Sequence, residues 1–294
     1  MELRLWGVRG SIPAPGPETV VHGGNTTCIE VREDSGELIV LDAGTGIRGL
    51  GLALARQMPV TAHLFITHSH WDHIHGLPFF VPLFVPGNRV IVHGPPDLVT
   101  GEGIERIMNV QMQYSYFPVR EAELRATLDY RTLSPGESVA VGTATVTPVL
   151  LNHPVLDYGY RIDCGDKSCF FTGDHEPHAN LYPPEDPAYA SCQVLVDERQ
   201  AELLAAIAGV DLIVADCAYG SAEYASRRGW GHGTFASSIR MAKEAGARRL
   251  VCTHHEPTRS DAELLSLFDA ELAAAGDLGG LQVVLAREGD AYGW

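Results

Sequence analysis

Short runs of apolar residues alternate with longer amphipathic segments along the chain, and this alternation predicts its elements. Runs rich in β-branched and aromatic residues predict strands, which lie at 2–7, 27–32, 37–44, 61–68, 89–94, 127–132, 143–151, 157–163, 168–172, 211–217, 249–255 and 281–286. Apolar positions at helical spacing predict helices at 46–58, 103–117, 198–209, 235–246 and 260–275. Two strand-rich halves that each lead into helices predict two sheets between helical layers.

The pattern contains no division into separate domains. We expect residues 95–126 to form a helical insertion between sheet strands, and residues 180–191 to form a loop. No linker and no repeat with a period of 20–50 residues interrupts the 294 residues. The sequence therefore predicts a single domain over residues 1–294. Because no apolar run is long enough for a membrane helix and no secretory signal precedes the first strand, we expect a cytoplasmic protein.

The net charge of the chain limits which molecules it can bind. The net charge is −16, from 21 basic and 37 acidic residues, and such a surface repels polyanions. A small nucleotide remains a possible substrate, because metal ions can reverse the local potential. We therefore expect no stable complex with a long nucleic acid.

The stretch THSHWDH, residues 67–73, directly follows the predicted strand TAHLF. Imidazole and carboxylate are good ligands for zinc and similar metals. His68 and His70 are two residues apart in an extended chain end, so both can reach one ion. As the chain turns, Asp72 and His73 can reach a second ion, and two ions a few Å apart can hold a phosphoryl group during displacement.

Further candidates lie at the ends of later strands, where a rigid sheet can hold active-site groups. These candidates are His153, Asp174, Asp216, His232 and the neighbouring pair His254 and His255. Adjacent residues of a strand point to opposite sides, so only one histidine of the pair should enter the site. We prefer His254, because it directly follows the threonine at the strand end.

The chain resembles the metallo-β-lactamase-fold hydrolases, specifically the branch of ribonuclease Z and the cyclic-nucleotide phosphodiesterases. The stretches that carry this resemblance are WGVRGSIPAPG, GGNTTCIEV, LDAGTGIR, THSHWDH, YGYRI, TGD, GWGHGT and THHEP. GHGT resembles the HST element of the phosphodiesterase branch, with Gly233 in place of the serine. The resemblance implies an α/β fold, the four-layer αββα sandwich.

The resemblance also implies roles for individual residues. The first metal would be bound by His68, His70 and His153, and the second by Asp72, His73 and His254. Asp174 would bridge the two metals, Asp72 would orient a bridging hydroxide, and His232 would act as a general acid or contact the phosphate.

Three further residues are candidates on weaker patterns. Asp42, in LDAGTG, is either a partner that fixes a ligand histidine or a turn carboxylate, and Asp216 can play the same supporting role or bond to His232. Arg228 either contacts a substrate phosphate or is solvated beside Arg227.

The aromatic residues of segment 103–117 also leave two interpretations. Tyr114, Tyr116 and Phe117 can stack on a nucleobase, or they can form a helix-packing face, which we favour.

These observations predict a dinuclear-metal-dependent phosphodiesterase that attacks a small nucleotide, with a 3′,5′-cyclic nucleotide preferred, by means of a metal-bridging hydroxide. The alternatives are a ribonuclease Z-like 3′-tRNA-processing endoribonuclease, a thioesterase, in which GWGHGT would have no obvious task, and a non-catalytic nucleotide-binding sensor. We expect two divalent ions, Zn²⁺ from the histidine-rich ligand set, with Mn²⁺ as the alternative. The resemblance alone implies a homodimer.

Overall fold

The computed structural model describes all 294 residues and contains two seven-stranded sheets. The first sheet has the order β14-β1-β2-β3-β4-β5-β6, and its strands are β1 (Glu2–Gly7), β2 (Cys28–Arg32), β3 (Leu38–Leu41), β4 (Thr61–Phe65), β5 (Arg89–Gly94), β6 (Thr127–Thr132) and β14 (Ala291–Gly293). The second has the order β13-β12-β11-β10-β9-β8-β7, and its strands are β7 (Val139–Val141), β8 (Ala144–Leu150), β9 (Tyr158–Cys164), β10 (Lys167–Phe171), β11 (Leu212–Asp216), β12 (Arg249–Thr253) and β13 (Gln282–Leu285).

Six α-helices accompany the sheets: α1 (Gly46–Leu54), α2 (Trp71–Ile74), α3 (Ile104–Gln111), α4 (Tyr189–Ile207), α5 (Phe235–Glu244) and α6 (Asp261–Ala274). Helix α6 begins at a capping box, because Ser260 accepts from the backbone N–H of Glu263 and the Glu263 side chain returns to Ser260. None of the helices combines the length and the apolar character that crossing a bilayer requires.

Each sheet is antiparallel in one half and parallel in the other. In the first sheet β3, β4, β5 and β6 run parallel, and in the second β10, β11, β12 and β13 do so. Parallel neighbours need a crossover connection, and α1, α3, α5 and α6 lie in such connections. The predicted insertion at 95–126 is the connection between β5 and β6, and it contains α3.

Three apolar clusters hold four layers together. Between the sheets, Leu5, Ile29 and Phe65 of the first sheet belong to one cluster with Tyr160 and Val214 of the second. Side chains of α1 and α3 cover the outer face of the first sheet, and side chains of α4, α5 and α6 cover the outer face of the second. The architecture is the predicted four-layer αββα sandwich.

The structure differs from the sequence prediction in short and solvated elements. Strands β7 and β14 are each three residues long, too short to give a clear alternating pattern. Helix α4 begins at Tyr189, inside the segment 180–191 that we expected to be a loop. Its first half presents Val194 and Leu195 to solvent, so the apolar periodicity that signals a helix is absent there.

A buried carboxylate joins the sheets at the edge opposite the strand ends that bear the histidines. Glu33 follows β2, and its side chain accepts hydrogen bonds from Ser35, from the backbone N–H of Glu37 and from Thr143, between β7 and β8. Burial alone would raise the pKa of Glu33, but these hydrogen bonds outweigh it and lower that pKa from its usual 4.5 to about 2. The ionised form of Glu33 therefore stabilises the contact between the two sheets.

Glu33→Gln should lower the free energy of unfolding at pH 7 by about 1–3 kcal/mol, because hydrogen bonds to a charged acceptor are lost. A folded-state pKa below the unfolded value stabilises the fold above pH 4.5, and this contribution disappears as the pH falls towards 2. Urea denaturation at several pH values should show the wild-type advantage shrink below about pH 4.5. Glu185→Gln, in an exposed loop, is the control; a wild-type advantage that is the same at pH 7 and pH 3 would contradict this account.

Candidate metal centre

One edge of the sandwich collects the carboxyl ends of strands from both sheets. Strands β3 and β4 run parallel, as do β10, β11 and β12, and ligand sites form beyond such ends. Strand β8 is antiparallel to β9, which is antiparallel to β10, so β8 ends on the same side. The residues that follow these ends include all seven predicted metal ligands: His68, His70, Asp72, His73, His153, Asp174 and His254.

Three histidines and one carboxylate form a first group. One ligand atom from each of His68, His70, His153 and Asp174 lies within 4.8 Å of the others. Nε2 of His153 is 3.0 Å from Nδ1 of His70, and Nε2 of His68 is 3.6 Å from Oδ2 of Asp174. This combination of donors is typical of sites for zinc and similar divalent ions.

Asp72, His73, Asp174 and His254 form a second group. Oδ1 of Asp174 lies 3.3 Å from Nε2 of His73 and 3.1 Å from Nε2 of His254. Oδ2 of Asp72 lies 3.3 Å from each of the same two nitrogens. Asp174 therefore belongs to both groups, with Oδ2 towards the first and Oδ1 towards the second.

Of the neighbouring histidine pair, the structure places His254, not His255, in this second group. His254 has a φ of 59°, a left-handed conformation that residues with a side chain rarely adopt. The ring of His255 points away, and its Nε2 lies 2.9 Å from the carbonyl oxygen of Ala286. A Cβ atom on Gly10 would lie 2.3 Å from the His254 ring, so only glycine leaves room for that ring.

Asp42 holds the ring of His73. Its Oδ2 lies 2.7 Å from Nδ1 of His73, and its Oδ1 accepts from the backbone N–H of Thr67 at 2.8 Å. Asp42 is fully buried and has a φ of 60°. A carboxylate on Nδ1 leaves Nε2 of His73 free to bind a metal, which is the first of the two interpretations of Asp42.

Sequence reasoning missed Asp157, which directly precedes β9 and is fully buried. Its Oδ1 lies 2.9 Å from Nδ1 of His68, but this contact lacks the hydrogen-bond geometry that joins Asp42 to His73. The available signal was an acidic residue at the start of a strand that otherwise reads as buried, YGYRI.

Backbone groups of two loops, to which the sequence analysis gave no role, also support the site. The backbone N–H of Ser11 donates to Oδ2 of Asp72 at 2.8 Å. The carbonyl oxygen of Gly231 lies 2.8 Å from Nδ1 of His153, and the N–H of Gly231 donates to Glu176 at 2.8 Å. Glu176 also accepts from the N–H of Gly229, so it fixes the turn that orients His153.

Burial lowers the pKa of the histidines in the site, and nearby carboxylates raise it. The balance differs between the two groups. Burial is the main cause that lowers the pKa of each histidine in the first group. For His73 and His254, burial is outweighed by Asp174 and other carboxylates, which raise the pKa. Burial would raise the pKa of Asp174, but the surrounding histidines hold it well below its usual value. Neutral imidazole and ionised carboxylate are the forms that bind metals.

Several buried ligand atoms have no hydrogen-bond partner within the protein. They include Nε2 of His68, Nε2 of His73 and Oδ1 of Asp174. A buried polar atom without a partner destabilises the fold, and a divalent cation in each group would be the missing partner. The residues therefore fit the metal ions that the sequence predicts.

His232 lies over the second group. Its Nδ1 is 3.1 Å from Oδ2 of Asp216 and 3.7 Å from Oδ2 of Asp174, and its ring stacks on that of His254 with centroids 4.8 Å apart. Burial would lower the pKa of His232, but Asp216 and Asp174 raise it to about 9. Asp216 also accepts from the N–H of Gly233 at 3.2 Å, so it positions the GHGT loop.

The remaining candidates lie outside this cluster. Arg228 is exposed and donates to the carbonyl oxygen of Asn180 at 3.0 Å, which agrees with a solvated side chain. Tyr114 and Tyr116 follow the end of α3 and are exposed. They therefore do not form the helix-packing face that we favoured.

Comparison with known proteins identifies the family. A model of the beta-lactamase superfamily domain matches residues 37–255, and the chain belongs to this superfamily. Ribonuclease BN from Cronobacter sakazakii is 26% identical over 91% of this chain and 93% of its own length. Ribonuclease Z from Shouchella clausii is 23% identical over 86% of each. These matches confirm the prediction of a ribonuclease Z-like, metal-dependent hydrolase.

Solved structures confirm the fold. The metallo-beta-lactamase fold protein YhfI from Bacillus subtilis superimposes with a TM-score of 0.69, at 18% identity over 99% of each chain. A diphosphatase from the PhnP family gives 0.65, at 20% identity over 100% of this chain and 97% of the other. Zn²⁺-bound PqqB from Methylobacterium extorquens gives 0.64, at 17% identity over all of both chains.

Proposed function

We propose that the protein hydrolyses a phosphodiester at a centre of two divalent metal ions. The observation that carries this proposal is the position of Asp174, whose two oxygens face two separate groups of ligands. A phosphodiester presents an attacked phosphorus and a departing oxygen that both need stabilisation, and a pair of ions supplies it by Lewis acidity. Zinc is the proposed metal because imidazole nitrogens dominate the ligand set, with manganese as the alternative.

The chain's own residues would contribute positioning and proton transfer. Nδ1 of His232 is engaged by Asp216, and the ring is partly exposed at the mouth of the site. His232 is therefore placed to protonate the departing oxygen. The Ser11 N–H holds Asp72, and Asp42 holds the ring of His73. Such an array reduces the reorganisation that the reaction requires.

Two substrate classes remain for this centre. The relatives named ribonuclease BN and ribonuclease Z support a ribonuclease Z-like endoribonuclease, the alternative from sequence, better than a 3′,5′-cyclic nucleotide. The net charge of −16 favours a small nucleotide. We propose an endoribonuclease as the lead and retain the small nucleotide as the second candidate.

A parallel assay distinguishes the candidates. Metal-loaded wild type and Asp72→Ala are offered a tRNA precursor with a 3′ extension, 3′,5′-cyclic nucleotides and bis(4-nitrophenyl) phosphate. We expect cleavage of the RNA by the wild type and a loss of at least about 10³-fold in kcat in Asp72→Ala, because a proposed metal ligand is removed. Asp166→Ala, at an exposed turn, is the matched control and should retain activity.

The other outcomes are equally informative. Cleavage of only the cyclic nucleotides would establish the second candidate in place of the first. Metal-loaded protein that cleaves none of the three substrates would contradict the proposed function and support the nucleotide-binding sensor.

His232→Ala should lower kcat for a natural diester by about 10²–10⁴-fold, as expected for removal of a general acid. The loss for bis(4-nitrophenyl) phosphate should be much smaller, because 4-nitrophenolate departs without a proton. Metal content should not change. An equal loss on both substrates, or the loss of one metal ion, would mean that His232 is not the proton donor.

The expected homodimer also remains a proposal. Light scattering after gel filtration measures the mass of the particle directly and decides between one and two chains.

A further inference from the structure

A groove of about 540 Å³ opens beside the metal ligands. One wall comes from the THSHWDH stretch and the residues just after it, and the other from α3 and the turn that follows it. The lining combines seven hydrophobic residues with five others, and it includes Ser69, Trp71, Asp97, Gln111, Tyr116 and Phe117. This volume lies within the range of small-molecule sites.

The groove exposes more aromatic surface than folding explains. Trp71, the first residue of α2, is 82% exposed, and Tyr116 is 72% exposed. Phe79 and Phe117 meet edge to face with centroids 5.3 Å apart, and this pair forms a rigid part of the wall. Scattered exposed aromatics are ordinary, but several that share one groove indicate a binding surface.

The groove is next to the metal centre along the chain, although none of the seven proposed ligands lines it. Ser69 lies between His68 and His70, and Trp71 lies between His70 and Asp72. Successive Cα atoms are about 3.8 Å apart, so the groove starts within one residue of three proposed ligands. A substituent next to a phosphate at the metal centre is therefore within reach of this groove.

We propose that the groove binds the nucleobase next to the scissile phosphodiester. Flat aromatic rings stack on every base, and Trp71, Tyr116 and Phe117 provide such rings. Ser69, Gln111 and Asp97 place hydroxyl, amide and carboxylate groups among them, which can bond to the polar edge of a base. This inference rests on the proposed function for the position of the phosphate.

The lining favours a base over a second copy of the chain. The groove is concave and has polar groups between its rings, as small-molecule sites do. A subunit contact is therefore treated as an outcome of the test.

The test compares two ligands that differ only in the base. Isothermal titration of the metal-loaded protein measures the affinities for AMP and for ribose 5-phosphate. We expect AMP to bind about 5- to 150-fold more tightly, the gain that stacking of one base provides.

Trp71→Ala and Tyr116→Ala should each reduce this ratio towards one. Both side chains are exposed, so the fold should persist, and an unchanged affinity for ribose 5-phosphate would show that the metal centre is intact. Tyr116 is distant in sequence from the ligand stretch and provides the second, independent variant. Tyr182→Ala removes an exposed tyrosine outside the groove and should leave the ratio as in the wild type.

Equal affinities of the wild type for AMP and ribose 5-phosphate would overturn the inference. It would also be overturned if Trp71→Ala and Tyr116→Ala left the ratio unchanged and instead altered the particle mass in sedimentation, because the groove would then be a subunit contact. Base-dependent binding without hydrolysis of any diester would support the groove and contradict the proposed function. Hydrolysis of a diester together with equal affinities for AMP and ribose 5-phosphate would support the proposed function and contradict the base-binding groove.

Discussion

The carboxylate of Asp174 is the interaction on which the rest of the structure depends. It is 1% exposed, and an ionised group in such a place is costly unless charges and donors surround it. His68, His73, His232 and His254 all approach its oxygens within 3.7 Å. None of these histidines follows the same strand as Asp174, so the arrangement requires both sheets to end at one edge in a defined register.

The two-sheet sandwich satisfies this requirement, and two residues of the site adopt strained backbone conformations. The parallel half of each sheet directs its strand ends to the same edge, and the cluster between the sheets keeps those ends in place. Asp42 and His254 both adopt left-handed backbone conformations, with φ of 60° and 59°. Such strain persists only where the surrounding structure imposes it, and here it directs one side chain against His73 and another towards Asp174.

Much of the fold and of the ligand set was predictable because the informative residues are close in sequence or at strand ends. The THSHWDH stretch specifies its own turn, and the buried strands read clearly as apolar runs. The secondary-structure prediction failed where an element depends on contacts with parts of the chain that are distant in sequence. Strand β14 exists because β1 offers a free edge, and the first half of α4 is a solvated helix without an apolar stripe.

The acidic residues that support the site were also not predictable from local sequence. Asp157 precedes a strand and Glu176 follows a proposed ligand by two residues, and neither position is unusual for an acidic side chain. Their roles appear only when His68 and the Gly231 turn are brought against them. The exposed aromatics near α3 were ambiguous for a similar reason, since the sequence does not show which face of that segment the sheet covers.

The central claim is that Asp174 joins two metal sites, and metal content tests it most directly. Protein loaded with zinc and freed of unbound metal by gel filtration is analysed by mass spectrometry for zinc per chain, beside Asp174→Ala and the control Asp166→Ala. The account predicts two ions per chain in the wild type and in the control, and fewer than one in Asp174→Ala, because both groups lose a ligand. One ion in the wild type, or two retained by Asp174→Ala, would contradict it.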